Sequence, residues 1–111
     1  MQLTINIKTE EYLIRTGRVN NSNSSLIVHF TSEYINKEVL IIPIFSDDLV
    51  QIQENKNDYL IHVFSLEMFH KVVKPQHKNR KSKNGRAYIP LKYAGLDLLI
   101  IPLNENFIYD E

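Results

Sequence analysis

Residues 83–103 read KNGRAYIPLKYAGLDLLIIPL, and residues 24–44 read SSLIVHFTSEYINKEVLIIPI. Both stretches close on Ile-Ile-Pro and one further aliphatic residue. Both place a tyrosine, Tyr34 or Tyr93, seven residues before the first of those isoleucines. The two Ile-Ile-Pro motifs start at Ile41 and Ile100, 59 residues apart. Carried along the chain without gaps, that offset sets Leu40 on Leu99, Ile5 on Phe64, Ile7 on Leu66, and Leu13-Ile14-Arg15 on Val72-Val73-Lys74. Identities are few, but apolar positions coincide along most of the length. The chain thus reads as one domain made of two copies of one unit, residues 1–52 and 60–111, joined by a polar linker at 53–59. A unit of about 52 residues is too small to bury a comfortable core alone, so the halves are expected to complete each other's interior.

Within each unit, alternation dominates. Leu3, Ile5 and Ile7 share one face of an expected strand, with Thr4 and Asn6 on the other. Tyr12 to Ile14 reads as a second strand, Gly17 to Ser24 as a polar loop, and Leu26 to Phe30 as a third strand. Thr31 is the expected cap of a short helical turn through Asn36, and Val39 to Ile42 the expected strand buried on both faces. Pro43 is tolerable near a strand end. The second unit follows: strands at 60–65 and 69–74, a basic loop at 75–84, a strand at 86–89, a turn opened by Pro90, and a strand at 98–101. Gly95 stands where that turn needs a left-handed residue, and Asn36 stands at the same place in the first unit.

Composition excludes several classes. Hydrophobic residues make up 43% and charged residues 23% of the 111, which argues for a folded domain rather than a disordered chain. Cysteine is absent, so no disulfide framework or thiolate metal site exists. MQLTINIKTEEYLI carries no basic start followed by an apolar run of signal length, and no apolar run reaches the roughly 20 residues of a membrane-spanning helix. The expectation is a cytoplasmic protein that does not enter membranes.

The run NGRAYIPLKYAGLDLLIIPL resembles the second half of an AbrB-like (SpoVT–AbrB) swapped-hairpin unit. That family has a strand ending in Ile-Pro, a short helix, a glycine, and a strand of aliphatics. The matching positions are Gly85, Arg86, Ile89, Pro90, Gly95 and Leu98 to Ile101. Lys71-Val72-Val73-Lys74-Pro75 fits the family's opening strand, particularly as found in small archaeal and transposon-encoded members. The likeness covers about 35 residues. The first unit follows it only in apolar pattern, with Thr31 in place of the proline and Leu26-Ile27 in place of Gly-Arg. The resemblance implies a mostly β fold with short helical turns: a swapped-hairpin barrel, here formed by two tandem repeats in one chain, a pseudo-dimer. Family members commonly bind DNA as transcription regulators or antitoxins, through basic residues around the loop and the third strand.

Zero net charge hides an asymmetry. Residues 1–52 carry four cations against six acids, and residues 60–111 carry eight against five. No acid occurs between Glu67 and Asp97. The segment Gln76 to Arg86 mixes cations with amide and hydroxyl groups. Like charges so close repel, and a phosphate backbone relieves that repulsion while releasing counterions. The expected contacts to duplex DNA are Lys74, Lys78, Arg80, Lys81, Lys83 and Arg86, with Asn84 and Tyr88 the candidates for base contact or stacking. The corresponding first-unit loop, Arg18 to Ser25, is nearly uncharged. The same basic segment also suits a solvated hairpin, or an interaction module, inhibitor or antitoxin-like, that engages an acidic protein. Pairing of two chains stays open, and so does assembly through strand edges.

Catalysis finds little support. His29, His62, His70 and His77 show no ligand spacing, and His29 and His62 fall in expected strands as structural residues. Asp47-Asp48 reads as a turn pair. Phosphate-binding loops, nucleophile elbows and dinucleotide fingerprints are missing, so no enzyme activity, cofactor or metal is expected. Tyr34 and Tyr93 are expected to pack where the turns meet the core.

Overall fold

The computed structural model describes residues 3–8, 12–54, 58–64, 67–76, 83–103 and 107–110. Their strands are β1 (Leu3–Lys8), β2 (Leu13–Thr16), β3 (Arg18–Val19), β4 (Leu26–Thr31), β5 (Glu38–Ile44) and β6 (Val50–Glu54), then β7 (Asp58–Val63), β8 (Phe69–Val72), β9 (Lys74–Pro75), β10 (Asn84–Ile89), β11 (Asp97–Pro102) and β12 (Phe107–Asp110). They form three antiparallel four-stranded sheets: β3-β4-β10-β9, β2-β11-β5-β8 and β12-β1-β7-β6. The fold is mostly β.

The two aliphatic runs lie side by side in the middle. In β5 and β11, Ile41 faces Ile100 and Ile42 faces Leu99. Alternate residues point opposite ways, so each run feeds two cores. Val39, Ile41, Leu98 and Ile100 join Leu26, Val28, Phe30, Ala87 and Ile89 of β4 and β10 in one. Ile42, Leu99 and Ile101 join Ile61 and Val63 of β7 in the other. The sheet β2-β11-β5-β8 is therefore a middle layer, packed on both faces. A strand buried on both sides cannot alternate polar and apolar residues, hence the unbroken Leu-Leu-Ile-Ile and Val-Leu-Ile-Ile. Each buried aliphatic side chain contributes about 1.5–3 kcal/mol relative to exposure. Pro43 and Pro102 are tolerated because the outer strands stop short of them. β8 pairs with β5 only from Glu38 to Ile41, and β2 with β11 only from Asp97 to Ile100.

The outer edges of two sheets are continuous. β2 pairs in the middle sheet, and one residue later, past Gly17, β3 pairs in the sheet with β4. β8 and β9 do the same around Val73, on the opposite edges. The Val73 backbone fastens to the turn beside it: Asn36 N–H donates to Val73 O at 2.8 Å, and Val73 N–H to Lys37 O at 2.9 Å.

Exchanging the two halves leaves every sheet order unchanged. Swapping β1 with β7, β2 with β8, and so on to β6 with β12 reverses each list and restores it. The central pairs are Ile41 with Ile100, Val28 with Ala87, and Ile5 with Ile61. The first two pairs are 59 residues apart and the third 56. This corrects the gapless alignment. Leu13 pairs with Ile100 as Phe69 pairs with Ile41, so Leu13-Ile14-Arg15 corresponds to Phe69-His70-Lys71 rather than to Val72-Val73-Lys74, and Ile5 to Ile61 rather than to Phe64. The second half holds three extra residues in its hairpin loop, and a gapless comparison cannot absorb them.

The turns follow the sequence in part. One-turn 3-10 helices occupy Ser32–Tyr34 and Leu91–Tyr93, each followed by a left-handed residue, Asn36 at φ 68° and Gly95 at φ 85°. Thr31 does not cap the first turn by its side chain; its hydroxyl donates instead to Glu33 Oε1 at 3.0 Å. A third 3-10 turn, Asp47–Leu49, holds the Asp47-Asp48 pair. Tyr93 is buried and Tyr34 packs against the same core, as their position implies. The expected linker is shorter than 53–59. Gln53 and Glu54 belong to β6 and pair with Leu60 and Tyr59 of β7. Polarity there marks an exposed edge strand, not an absence of strand. Residues 55–57 lie outside the described residues. Among the described residues, no helix is long and apolar enough to cross a membrane.

Candidate nucleic-acid interface

The sheet β3-β4-β10-β9 presents one face to the core and one outward. On β10, Gly85, Ala87 and Ile89 are buried, so Asn84, Arg86 and Tyr88 point out. On β4, Leu26, Val28 and Phe30 enter the core, and on the other face His29 and Thr31 stand exposed beside Ile27, which is itself buried. Register then sets the outward neighbours. Lys74 faces Arg86, Arg86 faces His29, Tyr88 faces Ile27, and Ile27 faces Arg18. Paired residues of an antiparallel ladder share a face. Four charged or ionisable side chains, Lys74, Arg86, His29 and Arg18, thus lie on one surface, and none of the four strands carries a carboxylate.

At one end of this surface the chain leaves β9 and returns as β10, with Gln76 N–H donating to Asn84 O at 3.1 Å. Lys83 and Asn84 stand exposed at this base. Lys78, Arg80 and Lys81, like His77, lie outside the described residues. Arg86 is held rather than splayed. Its Nη2 donates to the Gln76 carbonyl at 3.2 Å, and its guanidinium lies 5.5 Å from the centre of the Tyr88 ring. One of five donors is committed to the carbonyl, which fixes the plane in which the others are offered. Tyr88 remains 40% exposed, enough ring to take a stacked base. The nearest acid in sequence, Glu33, follows β4 at this end and accepts from the Thr31 hydroxyl.

The opposite end is different. The loop between β3 and β4 closes on itself: Asn20 Oδ1 accepts from Ser24 N–H at 2.9 Å and Ser25 N–H at 3.3 Å, while Asn20 Nδ2 donates to Ser24 Oγ and Ser25 Oγ. Its polar groups serve the turn, with Asn23 at φ 55°. Leu26 pairs with Ile89 and Thr31 with Asn84, so the two loops lie at opposite ends of the sheet, roughly 17 Å apart at ~3.3 Å per residue.

Two residues stand closer to the basic segment than the sequence implies. His29 lies in a strand, as expected, but it is exposed on the outward face, and its pKa is held below the ordinary value by partial burial and by the charges of Arg18 and Arg86. Arg18, placed with the uncharged loop, stands on β3 beside the cations of the second half. The signal was the alternation Ile27-His29-Thr31 against Leu26-Val28-Phe30, which already put His29 on the face away from the core.

Compared with protein-family models, with curated proteins and with solved structures, the chain matches none.

Proposed function

We propose that the chain is a small double-stranded-DNA-binding protein that acts as a transcriptional regulator, built as an AbrB-like swapped-hairpin barrel of two tandem units. Strands β2 to β5 and β8 to β11 supply the barrel. In support, the edge strands of its two sheets continue into each other through Gly17 and Val73, and the pairing survives exchange of the halves. The third sheet is an addition laid over the middle one.

The observation that carries the functional reading is the carboxylate-free outward face of β3-β4-β10-β9, which ends in the hairpin that bears Lys78, Arg80 and Lys81. Lys74, Lys83 and Arg86 stand at the base of that hairpin. Cations gathered without acids gain nothing from each other, whereas phosphates convert the grouping into affinity. Tyr88 and Asn84 border them for contact with bases.

Titration of the protein against labelled random-sequence duplex at rising salt tests this. With about five phosphates neutralised, log affinity should fall with log salt at a slope of roughly −4 to −5. Reversing Arg80, Lys81 and Lys83 to glutamate should abolish binding and leave the thermal melt nearly unchanged. Absence of duplex binding at low salt rejects the proposal. Capture of one acidic protein by the native chain but not by the reversed variant then favours the interaction module.

A further inference from the structure

The candidate contacts above all come from the second half of the chain, yet the face they border is shared. Arg18 and His29 belong to the first half, and both stand on the surface between the two loops. His29 is the direct register neighbour of Arg86. Arg18 is the register neighbour of Ile27, two residues from His29 on the same outward row. The groups around His29 are Arg86 and Tyr88 on β10, Lys74 beyond Arg86 on β9, Arg18 on β3, and, past Thr31, Glu33 with its carboxylate bonded to the Thr31 hydroxyl. Three of these are cations; the single acid, Glu33, follows four residues after His29, beyond the end of β4, with its carboxylate taken by the Thr31 hydroxyl. An imidazolium between Arg86 and Arg18 is repelled from both sides until an anion lies across them.

We propose that the polyanion contact runs across this sheet, with Arg18 and His29 supplied by the first half, and that His29 joins it as imidazolium, so that binding takes up a proton. The inference rests on the nucleic-acid reading of this face and adds to it both the residues of the other half and a dependence on pH. In the free protein the His29 pKa is lowered, partial burial being the larger cause and Arg18 and Arg86 the charges that add to it. A phosphate placed over the three side chains cancels the repulsion and raises that pKa. Between the two values, the complex holds one proton more than the free protein. Affinity therefore rises as pH falls through that window and is flat outside it.

Fluorescence anisotropy with a labelled random duplex, at constant ionic strength from pH 5.5 to 8.5, reads this directly. The native protein should bind up to about tenfold more tightly for each pH unit lowered within the window. His29→Gln should remove most of that dependence, whereas His70→Gln, on β8 of the middle sheet, should retain it. Arg18→Gln should weaken binding several-fold at every pH and lessen the salt slope by about 0.9. As a second readout on the native protein, the His29 ring resonance should titrate at higher pH with duplex than without.

If His29→Gln keeps the native pH dependence, if the His29 resonance titrates alike with and without duplex, or if Arg18→Gln binds as the native chain does, the proposal is overturned while DNA binding by the loop stands. Failure of the native chain to bind duplex at any pH removes both.

Discussion

Gly17 and Gly85 solve one packing problem in opposite ways. Gly17 sits at the crossing from β2 to β3, and a Cβ built there meets the side chain of Leu26. At the corresponding crossing, from β8 to β9, the residue is Val73, and the partner position is Gly85. A Cβ on Gly85 comes within 2.6 Å of Val73 Cγ1 and 3.1 Å of Ile35 Cγ1. One half pairs a glycine at the crossing with a leucine on the neighbouring strand; the other pairs a valine with a glycine. Side-chain volume is traded across the contact rather than lost. Either glycine enlarged alone should overpack a full core, by about 1–3 kcal/mol. Gly17→Val joined to Leu26→Gly installs the arrangement of the second half in the first. Urea unfolding should find the double variant more stable than the sum of its singles implies, with a coupling of about 1–3 kcal/mol. Simple additivity would show that the two positions do not share one space. None of this was legible beforehand: Gly85 was visible only as part of a Gly-Arg motif, and the contact that explains it joins residues from different strands.

Among the elements, the short turn Leu91–Tyr93 is anchored by a partner from outside it. Tyr93 donates from its hydroxyl to Glu67 Oε2 at 2.6 Å, and Lys92 Nζ lies 3.2 Å from Glu67 Oε1. Phe69 and Phe45 meet the Tyr93 ring edge-on, at 5.4 Å and 5.9 Å between centroids. The Tyr93 hydrogen bond, followed by Lys92, holds the Glu67 carboxyl below its ordinary pKa. A depressed carboxylate contributes stability above its unfolded pKa, near 4.5, and loses it as pH falls through the folded value. Tyr93→Phe removes the larger cause. It should be less stable than the native chain at pH 6, and the gap should narrow below about pH 4.5, read as urea midpoints across that range. A gap constant from pH 6 to pH 3 would assign the loss to packing alone. The place of this turn was legible in the sequence, since Pro90 and Gly95 bracket it and Tyr93 repeats Tyr34. The anchor was not, because Glu67 lies 26 residues away from Tyr93 and no local pattern joins them.

At the scale of the whole molecule, the aliphatic runs at 39–42 and 98–101 announced strands buried on both faces, and they form the middle layer. What they could not announce was the third sheet. Alternation in β1 and β7 says that one face is covered but not by what. β6 is an exposed edge whose last two residues, Gln53 and Glu54, are polar enough to pass for a linker. The candidate interface was legible as a basic segment, since charge is written in the sequence. Its extension to Arg18 and His29 was not, because strand order alone decides that β4 lies beside β10. That order has a consequence for folding. Each sheet takes two strands from each half, and every central pair joins one half to the other: β1 to β7, β4 to β10, β5 to β11. Neither half can close a core from its own strands, and a peptide of about 54 residues has little apolar surface to bury without a partner. Fragments 1–54 and 58–111, made separately, should therefore lack a folded monomeric state. Each should stay unfolded or associate with its own copies. Mixed in equal amounts, they should recover the far-ultraviolet circular dichroism of the intact chain with a concentration-dependent melt. Sedimentation of either fragment as a compact monomer with a cooperative melt would mean that the halves are independent folding units, and that the cross-pairing of β5 with β11 does not hold them together.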